Sequence, residues 1–217
     1  MSIPTWQEVA EDEFWAQVPQ DLHEGAVRDY LGSYGDAIEF RVKELCKVAA
    51  DLRASRHFGP SIVISVTSIE VMVQYFCVRP IVGGALLSEL LADEVSQHIL
   101  GSRGYDQRKL LAAILKPWGV DISSILLPSG KPLWEVFQNV VMKKRNEFVH
   151  RGDEVLEGEA ALALECASTF REHIVLKLAK RLGFSLNETG CWARVVHEPT
   201  PGFVGGEMHY GKSDPFK

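Results

Sequence analysis

Between Lys143 and Arg151 the chain sets four cations, Lys143, Lys144, Arg145 and Arg151, against one carboxylate, Glu147, and adds a histidine, His150. The local excess of positive charge stands in a chain whose formal net charge is −6, so an anion such as phosphate is drawn to this segment rather than to the surface at large. Imidazole changes charge near neutral pH and can carry a proton in either direction. A guanidinium can grip a phosphate at two points and stabilise charge that develops there. Arg145 and His150 therefore hold the parts for metal-free chemistry at a phosphate. The plainer reading is a solvated basic turn, because cations also gather at helix C-termini for the sake of the helix dipole. Spacing adds a constraint. Five residues on an α-helix turn the side chain by about 500°, which leaves Arg145 and His150 about 140° apart. Either the helix loosens before Gly152 and brings His150 round, or two protomers share a cleft that collects both residues from each.

The elements that must carry this segment can be read from periodicity. Residues 1–30 are acidic and aromatic and predict a short helix, followed by a break at Gly32 and Gly35. From about 36 to 56, Ile38, Val42, Leu45, Val48, Ala49 and Leu52 recur at helical steps, giving an amphipathic helix that ends near Gly59-Pro60. Ser61 to Val78 is almost continuously apolar. Its β-branched residues keep a strand open for the first half, but its length favours a helix stopped by Pro80. Thr67, Glu70 and Gln74 form a polar stripe on it. Helices are further expected over 82–101 and 106–116, then a loop to Gly130. Next come a helix over 131–149, with Leu133, Phe137, Val140, Val141 and Phe148 inside and Gly152 as its cap, and a last long helix over 157–182 closed by Gly183. Beyond 183, glycines and prolines predict loop or a small hairpin, with 191–196 as one strand.

Length and composition bound the rest. A chain of 217 residues with 46% hydrophobic and 24% charged residues folds throughout and fits one domain. We expect an all-α bundle of five or six helices over 1–182, with its core at 36–182, and a 183–217 extension. Net acidity excludes a diffuse basic surface that holds nucleic acid by counterion release alone. Four scattered cysteines, Cys46, Cys77, Cys166 and Cys191, form no CxxC pair and read as small buried thiols. The 61–78 segment is long enough to span a bilayer, but Glu70 at its centre would cost roughly 2.5–3.5 kcal/mol there. It reads as a core helix. Met1 is followed by no signal-peptide pattern, so the expected setting is the cytoplasm, with no membrane contact.

Arg145-Asn146-Glu147-Phe148-Val149-His150 resembles the R-x4-H signature of the HEPN (higher eukaryotes and prokaryotes nucleotide-binding) superfamily, including the polar residue that often follows the arginine. The all-helical context, an early apolar helix with one acidic residue, Glu70, and a long helix after the motif are similar too. The likeness covers roughly 36–182, and its specific part is the short motif. It implies a helical bundle that dimerises. It also implies a metal-independent endoribonuclease that needs no cofactor, with two R-x4-H segments meeting at the interface and Arg145 and His150 catalytic.

In that picture His150 moves the proton of a ribose 2′-hydroxyl or of the leaving 5′-oxygen, and Arg145 stabilises the phosphate, with Lys144 and Arg151 as further phosphate contacts. Asn146 either binds phosphate, orients His150 or decorates the surface. Glu70 either tunes the histidine or forms a buried ion pair with Arg79 or Arg145. The tyrosine of the toxin variant R-x4-H-x-Y is replaced here by Gly152, so the chain departs from that group. RNA is the expected substrate, in defence, stress response or RNA processing, with a regulatory protein partner allowed. The alternative is a non-catalytic HEPN module that binds nucleotide, RNA or a partner protein. Glu94 and His98, four apart, lack a second pair to complete a metal site, and His173, His197 and His209 lack ligand spacing.

Overall fold

A computed structural model of the chain describes residues 6–80, 111–112, 115–186 and 192–194, with side chains from Val27 onward. Within these residues the fold is four helices and one two-stranded sheet. The fold class is thus mostly helical, as expected. The helices expected over 82–101 and 106–116 lie outside the described residues, apart from helical Leu111, Ala112 and Leu115.

The first helix, α1, runs unbroken over Trp6–Ala54, so the expected break at Gly32 and Gly35 does not occur. Glycine costs a helix only about 1 kcal/mol relative to alanine, and tertiary contact overrides that. Gly35 is buried, and a Cβ there would come within 3.2 Å of Trp192 Cδ1. The residue permits a close approach rather than a turn. Ile38, Val42, Leu45 and Ala49 face the core as predicted, but Val48 stands 42% exposed.

The chain reverses through Arg56, at φ 63°, and enters α2, Phe58–Val71, which continues as a π-helical stretch over Met72–Val78. Gly59-Pro60 therefore opens α2 instead of ending α1. Proline is tolerated in a first helical turn, where its missing N–H has no intrahelical partner. The apolar segment is helix and not strand, and helical backbone continues through Pro80. By length and composition Phe58–Val78 could cross a membrane, but 61% of its most apolar window is buried inside the protein. Ile62, Val66, Ile69, Met72, Phe76 and Cys77 form the centre of the core. Its buried serines are satisfied by backbone carbonyls: Ser61 Oγ donates to Ala49 O at 2.7 Å, which pins α2 to α1, and Ser65 and Ser68 donate to their own helix.

After a 3₁₀ turn at Lys116–Trp118 and another at Ile122–Ser124, the third helix, α3, is built from Leu133–Val136, a π-helical stretch at Phe137–Val141, and Met142–Arg151. The π stretch shifts the angular register. Val141 consequently turns inward, while Val140, expected inside, is 44% exposed. The fourth helix, α4, likewise joins Glu157–Phe170, a π stretch at Arg171–Val175, and Leu176–Arg181. Gly183, at φ 82°, closes it. Strands β1, Phe184–Leu186, and β2, Trp192–Arg194, pair antiparallel with Ser185 opposite Ala193. This small hairpin docks on the bundle: Asp36 accepts from the Trp192 backbone N–H at 2.5 Å, and the Trp192 ring packs 6.0 Å from that of Phe76.

Two long-range contacts fix how the helices meet. Glu39, 1% exposed, accepts both Nε and Nη2 of Arg171, joining α1 to the π stretch of α4, and Lys43 approaches the same oxygen at 3.4 Å. A buried ion pair is weak evidence for stability, but Glu39 is buried and without Arg171 would keep only the half-exposed Lys43 as a partner, so the pair disfavours any other register. The second contact joins α2 to α3. A Cβ built on Gly59 would overlap Cδ2, Cε2 and Cζ of Phe148.

Gly59→Ala should therefore destabilise the protein by about 1–3 kcal/mol, the usual range for overpacking. Phe148→Ala introduced alongside it should cost less than the two single changes added together. A double-mutant cycle on urea unfolding checks this coupling.

Candidate functional site

The segment singled out in the sequence lies on the last turns of α3. The helix stays regular through Arg151 and ends at Gly152, whose φ of 74° is the left-handed cap conformation and whose N–H donates to Phe148 O at 2.9 Å. The expected glycine cap is in place. The helix does not loosen before it, so the first of the two geometric alternatives fails: within one chain, Arg145 and His150 remain about 140° apart around the axis. Phe148, held against Gly59, sets the roll of the helix. With Phe148 and Val141 turned inward, Lys143, Asn146 and His150 occupy the outer side, and all three are exposed.

Arg145 sits on the flank toward α2 and is half-buried. Its Nη1 donates to Asn146 Oδ1 at 3.0 Å, while its Nε is buried without a partner among the described residues. Asn146 thus orients the arginine, a role its sequence position alone does not suggest. Glu70 is exposed as a residue, not buried, and makes no ion pair within 4.0 Å to Arg145 or Arg79 among the described residues. Arg79 instead lies 5.5 Å from the centre of the Tyr75 ring. Glu70 nonetheless lines a cleft of about 240 Å³ with Ile69, Val73, Gln74, Trp134, Phe137 and Met142. Desolvation by these largely apolar walls pushes its carboxyl above the usual range, partly offset by attraction to Arg145. The structure brings Arg145 near Glu70, which lines an apolar cleft, while Arg145 reaches round to Asn146 on the outer side. His150 lies round the helix from Glu70 and Arg145, on the side of Asn146.

The two cations expected to assist differ in setting. Lys144 is committed to Glu159 Oε1 at 3.4 Å. Glu159 in turn accepts from the Leu156 N–H at 2.8 Å, capping α4. Lys144 therefore braces α3 on α4, leaving Arg151, exposed beside the Gly152 cap, as the more accessible charge. Among the described residues no group of three or more histidine, cysteine or acidic side chains is gathered as for a metal ion. Glu94, His98, His197 and His209 lie outside them. Burial raises the Cys77 and Cys166 thiols to about 12, too high for ready thiolate chemistry.

Sequence reasoning missed the cleft beside Arg145, because its walls come from α2 and from the π stretch of α3, whose register does not follow ordinary helical spacing. It also missed a second, basic cavity lined by Trp118, Gly119, Val120, Lys177, Lys180 and Arg181. Those residues stand too far apart in the chain to suggest one another.

A raised carboxyl is easier to hold protonated in the folded state than in the unfolded one. Its penalty is therefore absent below the unfolded value of 4.5 and grows as pH rises through the folded value. Glu70→Gln should be more stable than the native chain at pH about 7 and should lose that advantage below about pH 4. Parallel urea titrations at the two pH values check it, and an advantage independent of pH would contradict the desolvation described here.

In comparisons with known proteins no family model matches the chain, and neither a curated protein nor a solved structure matches it.

Proposed function

We propose that the protein is a metal-independent endoribonuclease of HEPN type, in which Arg145 and His150 act together where two copies of α3 meet. The observation that carries this reading is the presentation of the motif. An R-x4-H segment sits on the last turns of a capped helix with Lys143, Asn146, His150 and Arg151 exposed, and Arg145 is aimed by Asn146. An exposed histidine beside surplus cations is arranged for an anionic ligand. A divergence of about 140° within one chain supports a site shared with a second chain, in which twofold packing of α3 against its copy would pair each Arg145 with His150 of the partner subunit.

The chemistry needs only groups of the chain. One imidazole takes the proton of the ribose 2′-hydroxyl as its oxygen attacks phosphorus. The bond from phosphorus to the 5′-oxygen breaks, and the same group, now an imidazolium, returns a proton to the departing oxygen. Arg145 neutralises charge on the phosphate as five oxygens crowd around it. The products are a 2′,3′-cyclic phosphate and a 5′-hydroxyl. Asn146 supports the guanidinium, Arg151 extends the phosphate contact, and the free buried thiols Cys77 and Cys166 accord with a cytoplasmic setting. Defence or stress response is the biological role we attach to such an activity, with a regulatory partner protein to restrain it.

The same divergence of Arg145 and His150 favours a second reading. A chain that acts alone would keep the guanidinium and the imidazole on different sides of α3, which suits a module that binds nucleotide, RNA or a partner protein without cleaving.

Purified protein incubated with a mixed RNA pool in EDTA should yield fragments with 2′,3′-cyclic phosphate ends. His150→Ala and Arg145→Ala should each lower the rate by about 10²–10⁴-fold, the range for loss of a general acid–base or of oxyanion stabilisation. Equal rates in all three proteins would assign the cleavage to a contaminant and remove the proposal.

A further inference from the structure

The basic cavity beside Trp118 shares no residue with Arg145, His150 or the cleft next to them. It has a volume of about 410 Å³, within the range of small-ligand sites. On one side runs the last turn of α4 with Lys177, Lys180 and Arg181; on the other is the turn Trp118-Gly119-Val120. Cations near a helix C-terminus are ordinary, since the dipole favours them. These three, however, lie at steps of one, three and four on a single turn, where like charges repel. Lys177 and Lys180 are exposed, no carboxylate lines the cavity, and no described carboxylate pairs with any of the three. The nearest acid in sequence, Asp121, is occupied in accepting the Ser123 N–H at 2.9 Å. The repulsion is left for a bound anion to relieve.

Arg181 is more than decoration. Its Nε donates to Trp118 O at 3.0 Å, and its Nη2 lies so close over Gly119 that a Cβ at that position would overlap it. Gly119 itself holds φ 70°, so both its conformation and its bareness are used to seat the guanidinium. A fork held by Nε against a carbonyl keeps its terminal N–H groups for a second acceptor. Half-buried Trp118 supplies an apolar surface at the same cavity, and an aromatic side chain beside cations, one of them held in place, is what a base followed by its phosphate requires.

We infer that this cavity is a nucleotide site that takes a phosphate on Lys177, Lys180 and Arg181 and a base against Trp118. The shared chemistry fits a residue within a single strand or a free mononucleotide. The strand is named because of the ribonuclease reading, on which that part of the inference rests, and the site would then grip RNA apart from the cleavage centre.

The test uses the full chain and a fluorescent 2′-O-methyl RNA oligonucleotide, which lacks the hydroxyl needed for cleavage, with adenosine monophosphate as competitor. The native protein should bind the strand, and Lys177→Gln with Lys180→Gln should weaken binding about tenfold at low salt. It should also flatten the plot of log affinity against log salt by about 1.4, or about 0.7 per cation removed. Arg181→Lys, which keeps the charge and loses the fork, should weaken binding about threefold while leaving that slope unchanged. Because the lysine variant relieves repulsion, its unfolding midpoint should be equal to or above the native one.

Displacement of the strand by adenosine monophosphate would identify the free nucleotide as an occupant of the same site, and its failure to displace would identify the strand. Unchanged affinity and slope in the lysine variant, or no binding of either probe by the native chain, overturns the inference. Failure of the ribonuclease reading registers separately, as absence of cleavage of unmodified RNA, because the binding measurement involves no cleavage.

Discussion

Phe148 rests against the bare backbone of Gly59, and the orientation of everything polar on α3 depends on that contact. A helix has one rotational freedom that its backbone hydrogen bonds do not restrain, the roll about its own axis. Burying an aromatic ring where no Cβ stands in the way removes it. Once Phe148 and Val141 point inward, helical geometry leaves Lys143, Asn146 and His150 facing out and sets Arg145 on the flank beside Glu70. The Gly152 cap, Glu159 at the start of α4 and the Lys144 ion pair then hold the end of the helix. An exposed site is in this way carried on a rigid element.

The π-helical stretches in α2, α3 and α4 serve the same geometry from inside. Each places an additional residue in a turn and rotates the next turns of the helix about its axis. In α3 this turns Val141 inward, exposes Val140 and sets the phase in which Arg145 to His150 begin. In α4 the stretch contains Arg171, which reaches Glu39 of α1. Removing Arg171 would leave the buried Glu39 with only Lys43 as a partner, so the pair fixes the register of α1 on α4 more than it adds stability.

Much of the fold is legible in the sequence because its signals are local. A long apolar run, a leucine and alanine periodicity, and Gly152 and Gly183 after the last helical residues each declare an element without help from elsewhere. The misreadings share a cause. Gly32 and Gly35 look like a break because a local penalty is all that sequence displays, whereas the close approach of Trp192 to Gly35 joins distant parts of the chain. Gly59-Pro60 looks like an end because its need for Phe148 is equally distant. Val140 reads as inward because ordinary helical spacing cannot anticipate a π stretch. At the candidate site, the residue types and their spacing are visible, but the neighbours that decide their state are not: Asn146 on Arg145, apolar walls around Glu70, and Glu159 on Lys144.

The account stands on the claim that an active centre needs Arg145 of one chain and His150 of the other. Mixing inactive Arg145→Ala and His150→Ala proteins under conditions that let subunits exchange tests it directly. In a mixed dimer one of the two sites would keep both residues, so the mixture should recover about a quarter of the native RNA-cleaving rate, half the dimers being mixed and each having one intact site. Recovery at that level would establish the shared site. No recovery, with exchange shown by the mass of the mixed dimer, would mean that each chain must supply both residues itself and would contradict the account.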